Sequence, residues 1–460
     1  MTTLPFTPRD VVERSIRIKP HPVRMDKLVI QGRRPLQGTL AVSGSKNTAL
    51  PLMAAALLAD GTTILDNIPH LRDIATFSNV LRISGASVKF NPERHRLRIN
   101  ASRIDFPEAP YELVKKMRAS FYMLGALLGR CGEARVSLPG GCAWGPRPVN
   151  LHLEGIQALG AAIDLDGGYV VARAPGGRLP GGRYKLEPSS VGATINIALA
   201  AVTARGASRI ENAATEPDVV EFCKALQAMG AQIDGVGTRV LDIEGVDELL
   251  PIAYPNCPDR IELGTFMIAA AIAGTPGEPV RLTNANPDHL GAEFVDAFER
   301  TGARITMGAD YAEVVAPDEI QPVSITTAIY PGFPTDLQAQ WTVLLTQANG
   351  TATVTDTVYT DRFNHIPELN RLGVQASVKG ETVTVVGGHT LKGAKVMSTD
   401  LRASVSLVLA GMVAEGTTDV LRIYHLDRGY ERLENKLSAA GIAIERAQYD
   451  EFAQPEPHTA

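Results

Sequence analysis

The 460-residue chain predicts an α/β protein, a two-domain inside-out α/β barrel made of six βαβαββ-like repeats, three to each domain. Three observations lead there. A phrase ending in Gly, a small residue and a strand returns at intervals of roughly seventy residues, the fixed period of an internal repeat. Its endings are Gly85-Ala86-Ser87-Val88, Gly160-Ala161-Ala162-Ile163, Gly230-Ala231-Gln232-Ile233, Gly302-Ala303-Arg304-Ile305, Gly373-Val374-Gln375-Ala376 and Gly441-Ile442-Ala443-Ile444. Each repeat pairs a helix that is apolar nearly all round with an amphipathic one, so the first must be buried and the second faces solvent. The chain is also longer than one core usually supports, which divides six repeats naturally into two domains.

In chain order, residues 1–24 stand apart: they carry Arg9, Arg14, Arg17, Lys19 and Arg24 with several prolines. They read as a disordered extension, or as the product of a start upstream of Met25, rather than a targeting peptide. The first strand of the repeat type falls at 28–31. A buried helix is expected at 49–58 (Ala-Leu-Pro-Leu-Met-Ala-Ala-Ala-Leu-Leu) and another at 404–412, with amphipathic partners at 219–229 and 428–439. The intervening strands are short, β-branched and bounded by Gly. The stretch from Ser137 to Pro148 holds Pro139-Gly140-Gly141-Cys142-Ala143-Trp144-Gly145-Pro146-Arg147-Pro148. It reads as an exposed mobile loop, and a Cys and a Trp together on such a loop point to function. Residues 448–460, polar and ending in Pro and His, read as a disordered tail.

Composition excludes several classes. Hydrophobic residues make up 45% of the chain and charged residues 21%, as in an ordinary globular protein, and a net charge of -5 argues against a nucleic-acid partner. Cys131, Cys142, Cys223 and Cys257 have neither metal-ligand spacing nor a disulfide framework, which fits a reducing cytoplasm. The apolar runs fall short of a membrane span.

The starts of the buried helices carry the chemical signal. Lys46-Asn47, Arg118, Ser189-Ser190, Asp259-Arg260, Asp336 and Asp400 to Arg402 occupy equivalent places. Ser190 or Asp259 alone would be ordinary caps. Lys and Arg are not, because a cation at a helix N-terminus is unfavourable unless an anion sits there too. If the repeats pack with pseudo-symmetry, these starts converge on one cavity suited to anions.

Ser43-Gly44-Ser45-Lys46-Asn47, Met117-Arg118-Ala119-Ser120, the Cys142 loop, Ser190-Val191-Gly192-Ala193-Thr194, Phe333-Pro334-Thr335-Asp336-Leu337-Gln338-Ala339-Gln340, Thr399-Asp400-Leu401-Arg402-Ala403 and Asp427-Arg428-Gly429-Tyr430 resemble the UDP-N-acetylglucosamine enolpyruvyltransferase family. The similarity runs from about Met25 to Arg446, with motifs in every repeat. The resemblance implies a cytoplasmic peptidoglycan-synthesis enzyme, with its active site in the cleft between a domain of residues 25–45 plus 258–447 and a domain of residues 46–257. It implies phosphoenolpyruvate and UDP-N-acetylglucosamine as substrates and phosphate release by addition and elimination. No metal, organic cofactor, nucleic acid or membrane is implied, and the expected state is a monomer.

By the same resemblance, Cys142 is the general acid toward C3 of phosphoenolpyruvate and Asp336 the base beside the sugar 3′-hydroxyl. Asp400 is a second carboxylate for proton transfer in the elimination. Lys46, Arg147 and Arg428 hold the phosphate of phosphoenolpyruvate, with Arg402 and Arg118 as further cations. Asn47 contacts the acetamido sugar, and Pro148, Val149, Asn150 and Leu151 frame the uracil. Pro188, Ser189, Ser190, Val191 and Gly192 line the diphosphate, and Val358 and Arg362 complete the substrate-binding set. An unperturbed thiol, with a pKa near about 8.5, is mostly protonated at neutral pH, which suits an acid.

Three departures stand out. Asn150 replaces a common Asp, Pro188 stands where a Lys is sometimes found, and Trp144 is bulkier than the expected aliphatic residue. Two other functions share the fold. Transfer to shikimate 3-phosphate is disfavoured by the loop cysteine and Asn47, and a non-catalytic UDP-sugar sensor is disfavoured by the intact set of charged positions.

Overall fold

In the computed structural model the described residues are 24–115, 117–138 and 149–451. Cys142, Trp144, Arg147 and Pro148 lie outside them. Among the described residues the strands form six four-stranded sheets of one pattern. In one, Arg183–Lys185 runs parallel to Ala207–Glu211, which pairs antiparallel with Val240–Glu244, itself antiparallel to Gln232–Asp234. Ala207–Glu211 alternates buried and open positions, because one face of the sheet packs on helices and the other meets solvent.

Three sheets are completed by distant chain, one of them by Thr39–Ala41 running parallel to Pro279–Thr283. Arg24–Gln31 inserts antiparallel between Thr417–Leu421 and Ala443–Asp450, so the first strand closes the last repeat. Ala253–Pro255 runs parallel to Thr62–Asp66 and closes the first. Each three-repeat ring therefore ends on a strand taken from elsewhere in the chain, which leaves no repeat with an unfilled place.

The helices at the centre of each ring are buried on all sides. In Lys46–Ala55 every residue except Asn47 is buried, Lys46 included. Met123–Cys131 packs on Val191–Ala201, and in the other ring Gln338–Thr346 packs on Arg260–Ala273 and Leu401–Val413. Gly125 permits the first of these crossings, since a Cβ there would lie 2.1 Å from the Asn196 carbonyl oxygen. Two separate hydrophobic clusters result: one draws on residues between 49 and 249, the other on residues 28–42 and 261–444. Where the chain crosses between them, Ser45 N–H donates to the Cys257 carbonyl at 2.7 Å and Asp259 N–H to the Ser43 carbonyl at 2.8 Å.

Three expectations are corrected. Arg24, placed in the extension, opens a strand, and Gln448 to Asp450, placed in the tail, end one. The reason is register: Arg24 faces Asp450 and Asp26 faces Gln448, so each polar segment satisfies the backbone of the other, and neither has an apolar pattern to announce it. The helix expected at 428–439 is Leu433–Ala439, preceded by a 3-10 turn at Leu426–Arg428 and interrupted at Arg432, whose φ is 43°.

Candidate active site

The starts of the buried helices do converge. A cavity of about 390 Å³ between the two clusters is lined by Asn47, Arg118, Ser189, Ser190, Val191, Gly192, Asp336 and Val358, together with His152, Asp218, Arg260, Tyr330 and Tyr359. Arg362 donates to Asp336 of that lining and Arg402 lies 3.5 Å from the same carboxylate, whereas Asp400 stands 4.0 Å from Arg362, and Lys46 and Arg428 pair with Asp73; none of these five lines the cavity itself. Val149, Asn150, Leu151 and Pro188 do not border it: Asn150 is exposed and donates to Glu154 at 3.3 Å, and Pro188 is exposed.

The wall from residues 46–257 is built on hydroxyl-capped helices. Ser45 Oγ accepts from Thr48 N–H at 3.2 Å, and Ser190 Oγ accepts from Ala193 N–H at 3.3 Å. The first-turn amides of Val191 and Gly192, which that serine does not reach, border the cavity at the positive end of an eleven-residue helix. Lys46 Nζ lies 3.5 Å from Asp73, while Arg428 Nε, from the other domain, donates to the same carboxylate at 2.9 Å. Burial lowers the Lys46 pKa; Asp73 opposes the shift, Arg402 and Arg428 deepen it, and Asp336 opposes it.

The facing wall is built on carboxylates. Asp400 caps Leu401–Val413, accepting from Arg402 N–H at 2.7 Å and Ala403 N–H at 3.2 Å. Asp336 sits in a 3-10 turn that opens the next buried helix; its Oδ1 accepts from Arg362 at 2.7 Å and its Oδ2 lies 3.5 Å from Arg402 Nε. Burial would raise the Asp336 pKa, but Arg362 and then Arg402 outweigh it and hold the carboxyl well below the usual carboxylate range. Arg402 is 1% exposed, and none of its three guanidinium nitrogens makes a directed hydrogen bond among the described residues. Its guanidinium lies 5.4 Å from the centre of the Tyr430 ring. Burial works against its charge, and Tyr430, Asp336 and Asp259 more than restore it.

The arrangement brings Lys46, Arg402 and Arg428 within electrostatic reach of one another and offers an anionic group a place at the start of Val191–Ala201. It also sets the carboxylate of Asp336 on the cavity lining, where Glu216 and Asp218 are found as well. Sequence reasoning missed Asp73, Asp218 and His152. The two aspartates share a readable signal, an acid in the first turn of an amphipathic outer helix. Asp218 accepts from Ser45 and Thr48, each at 2.8 Å, and pairs with Arg260 across the domains at 3.3 Å. His152 had no such signal. Among the described residues no group of three or more His, Cys, Asp or Glu could hold a metal ion, and no helix is long and apolar enough to cross a membrane.

Comparison with known proteins identifies the family. Residues 30–437 match the EPSP synthase (3-phosphoshikimate 1-carboxyvinyltransferase) family. A UDP-N-acetylglucosamine 1-carboxyvinyltransferase of Chloroherpeton thalassium is 55% identical over 433 residues, covering 94% of this chain and 100% of the relative. One from Chlorobaculum parvum is 53% identical over 430 residues, covering 93% and 100%. Among solved structures, the enolpyruvyl transferase NikO from Streptomyces tendae superposes with a TM-score of 0.82 at 26% identity, covering 92% of this chain and 99% of that one. EPSP synthase from Acinetobacter baumannii, at 17% identity and a TM-score of 0.72 over 92% of this chain and 100% of that one, shares the fold. By the match over most of its length and by these relatives, the chain belongs to the EPSP synthase family of carboxyvinyltransferases and, within it, to the UDP-N-acetylglucosamine 1-carboxyvinyltransferases.

Proposed function

We propose that this protein transfers the enolpyruvyl group of phosphoenolpyruvate to the 3′-hydroxyl of UDP-N-acetylglucosamine with release of phosphate, the committed step toward peptidoglycan. The observation that carries the reading is Arg402, a fully buried guanidinium that stands 3.5 Å from Asp336, a carboxylate on the cavity lining, and against the Tyr430 ring. Asp336 and Tyr430 already balance that charge, and an anionic ligand would share the cation with Asp336.

Asp336 is the general base for the sugar hydroxyl, and Cys142, on the loop outside the described residues, delivers the proton to C3. In the unliganded site Asp336 is a weak base, because Arg362 and Arg402 stabilise its charge. Phosphoenolpyruvate bound to Arg402 and Lys46 divides their attraction, and the carboxylate becomes more basic as the substrate arrives. Addition joins the sugar oxygen to C2 while C3 takes a proton. Elimination then removes that proton and expels phosphate, with Asp400, which lies 4.0 Å from Arg362, as the second carboxylate. Lys46, Arg147 and Arg428 hold the phosphate, Arg118 adds charge, and Asn47 meets the acetamido group. Ser189, Ser190, Val191 and Gly192 receive the diphosphate, with Val358 at the sugar. Pro148, Val149, Asn150 and Leu151 reach the uracil, and Pro188 the diphosphate, once the cleft closes over the nucleotide. The protein acts as a monomer in the cytoplasm.

The test is phosphate release from phosphoenolpyruvate with UDP-N-acetylglucosamine or shikimate 3-phosphate as acceptor, in wild type and Cys142→Ala. Release with the UDP-sugar, lost in the variant, is expected. Release with shikimate 3-phosphate instead, or none despite UDP-sugar binding, overturns the reading. An epoxide phosphonate such as fosfomycin should add one adduct to Cys142 in the presence of UDP-sugar, visible by intact mass.

A further inference from the structure

His152, in the first turn of helix Asn150–Ala158, is 4% exposed and borders the cavity at the start of Val191–Ala201. Its surroundings settle its tautomer. The Gly125 N–H donates to Asn196 Oδ1 at 2.7 Å, which fixes the amide, so Asn196 Nδ2 is the donor on its other side. That nitrogen donates to the Phe121 carbonyl at 3.0 Å and meets His152 Nδ1 at 3.0 Å. Nδ1 is therefore an acceptor, and in the neutral ring the proton sits on Nε2. Burial, reinforced by Arg118, keeps the ring neutral by pushing its pKa down to about 3. The edge of Phe121, at 79° and 5.3 Å between centroids, holds the ring plane.

The Nε2–H is thus a buried donor with a locked direction, yet among the described residues it has no partner. It lies beside the anion-seeking end of a helix: a Cβ built on Gly192 would stand 3.2 Å from His152 Cε1 and 3.3 Å from Nε2. A buried donor of this kind is usually satisfied, and the neighbouring group that could satisfy it is a ligand in the cavity. Pro188, exposed and without a donor at the same helix start, adds nothing to replace it.

We propose that His152 is a neutral hydrogen-bond donor to the diphosphate of the bound nucleotide, held in its Nε2–H tautomer by the Gly125–Asn196 relay. This rests on the UDP-sugar reading above and adds a binding residue to it.

Two measurements test it. In wild-type protein, long-range nitrogen–proton NMR of the imidazole should show Nε2–H, with its proton moving downfield on adding UDP and staying in place with uridine. A Nδ1–H pattern, or a proton unmoved by UDP, overturns the assignment. In calorimetry, His152→Leu should weaken UDP and UDP-N-acetylglucosamine by about tenfold, the loss of a hydrogen bond to a charged group, and leave uridine unchanged. His152→Gln, whose amide nitrogen can stand near the position of Nε2, should restore most of that loss. Equal weakening of uridine and UDP, or no weakening, contradicts the proposal. Wild-type turnover of UDP-sugar with an unmoved Nε2 proton removes His152 alone. No wild-type binding of UDP and no turnover overturns the functional reading on which it rests.

Discussion

The two walls of the cavity begin from the same repeat and end with opposite electrostatics. On the wall beside the first cluster two helix starts are capped by neutral hydroxyls: Ser45, whose own Oγ donates to Asp218, and Ser190, which leaves the positive end of its helix available. On the facing wall they are capped by Asp259 and Asp400, which accept two backbone amides each and neutralise that end from within. An anion on the first wall can be held by backbone N–H groups, whereas on the second it needs side-chain cations, and Arg362 and Arg402 stand there. One repeated architecture thus presents two kinds of helix start, because the cap residue decides whether the start is open or already filled.

The largest effect that would break this comparison is expected at Asp336. Asp336→Asn should lower kcat by about 10²–10⁴, the usual range for a lost general base, with a smaller change in UDP binding, as measured by steady-state kinetics and calorimetry. A loss confined to UDP affinity would place the base elsewhere. The same residue has a stability signature. Its folded pKa is depressed, so its contribution is present above the unfolded value of about 4 and is lost as pH falls through the folded one. Asp336→Asn should therefore remove part of the acid-side loss of stability below about pH 4.

Each wall also has one buried neutral histidine, His152 behind the first and His365 behind the second, both pushed down to about 3 by burial and a neighbouring arginine. Between that value and the unfolded one of about 6.5, the unfolded chain binds a proton that the folded chain does not. Stability should therefore fall as pH drops through this window, by up to about 1.4 kcal/mol per pH unit for each ring. Denaturant titrations from pH 7 to pH 4 should show a shallower slope in His365→Leu, and a slope equal to wild type would contradict the burial argument.

Arg402→Met sharpens the contrast between binding and stability. Arg402 lies 3.5 Å from Asp336, but Arg362 still pairs that carboxylate, so the loss of stability should stay below the loss of about 3–5 kcal/mol for a wholly broken buried pair, while KM for phosphoenolpyruvate rises at least about tenfold. A large loss of stability would mean that Arg402 is a structural ion-pair partner rather than a ligand site. The smallest effect is at the open cap: Ser190→Ala should cost about 1 kcal/mol in thermal or chemical denaturation, and Ser190→Gly a few tenths. If Ser190→Ala costs nothing, the hydroxyl does not cap the helix in solution.

The residue pattern alone was enough to establish the repeat, the buried and outer helices, and the charged residues at the helix starts. All of these depend on local periodicity and on the electrostatics of a helix terminus, which are properties of neighbouring residues. Lys46, Asn47, Arg118, Ser190, Asp336 and Arg402 could be picked out for that reason. The meeting of Asn47, Arg118, Ser190 and Asp336 at one cavity, the closing of the last repeat by Arg24–Gln31, and the ends of that strand pair at Asp450 were decided by contacts between segments hundreds of residues apart. So were the cross-domain pairs of Asp73 with Arg428 and Asp218 with Arg260. His152 is the clearest case. Its proton position follows from an amide fixed by Gly125 on a third segment, and a tautomer set through two hydrogen bonds leaves no trace in the order of residues. Packing alone brings those atoms within reach of one another.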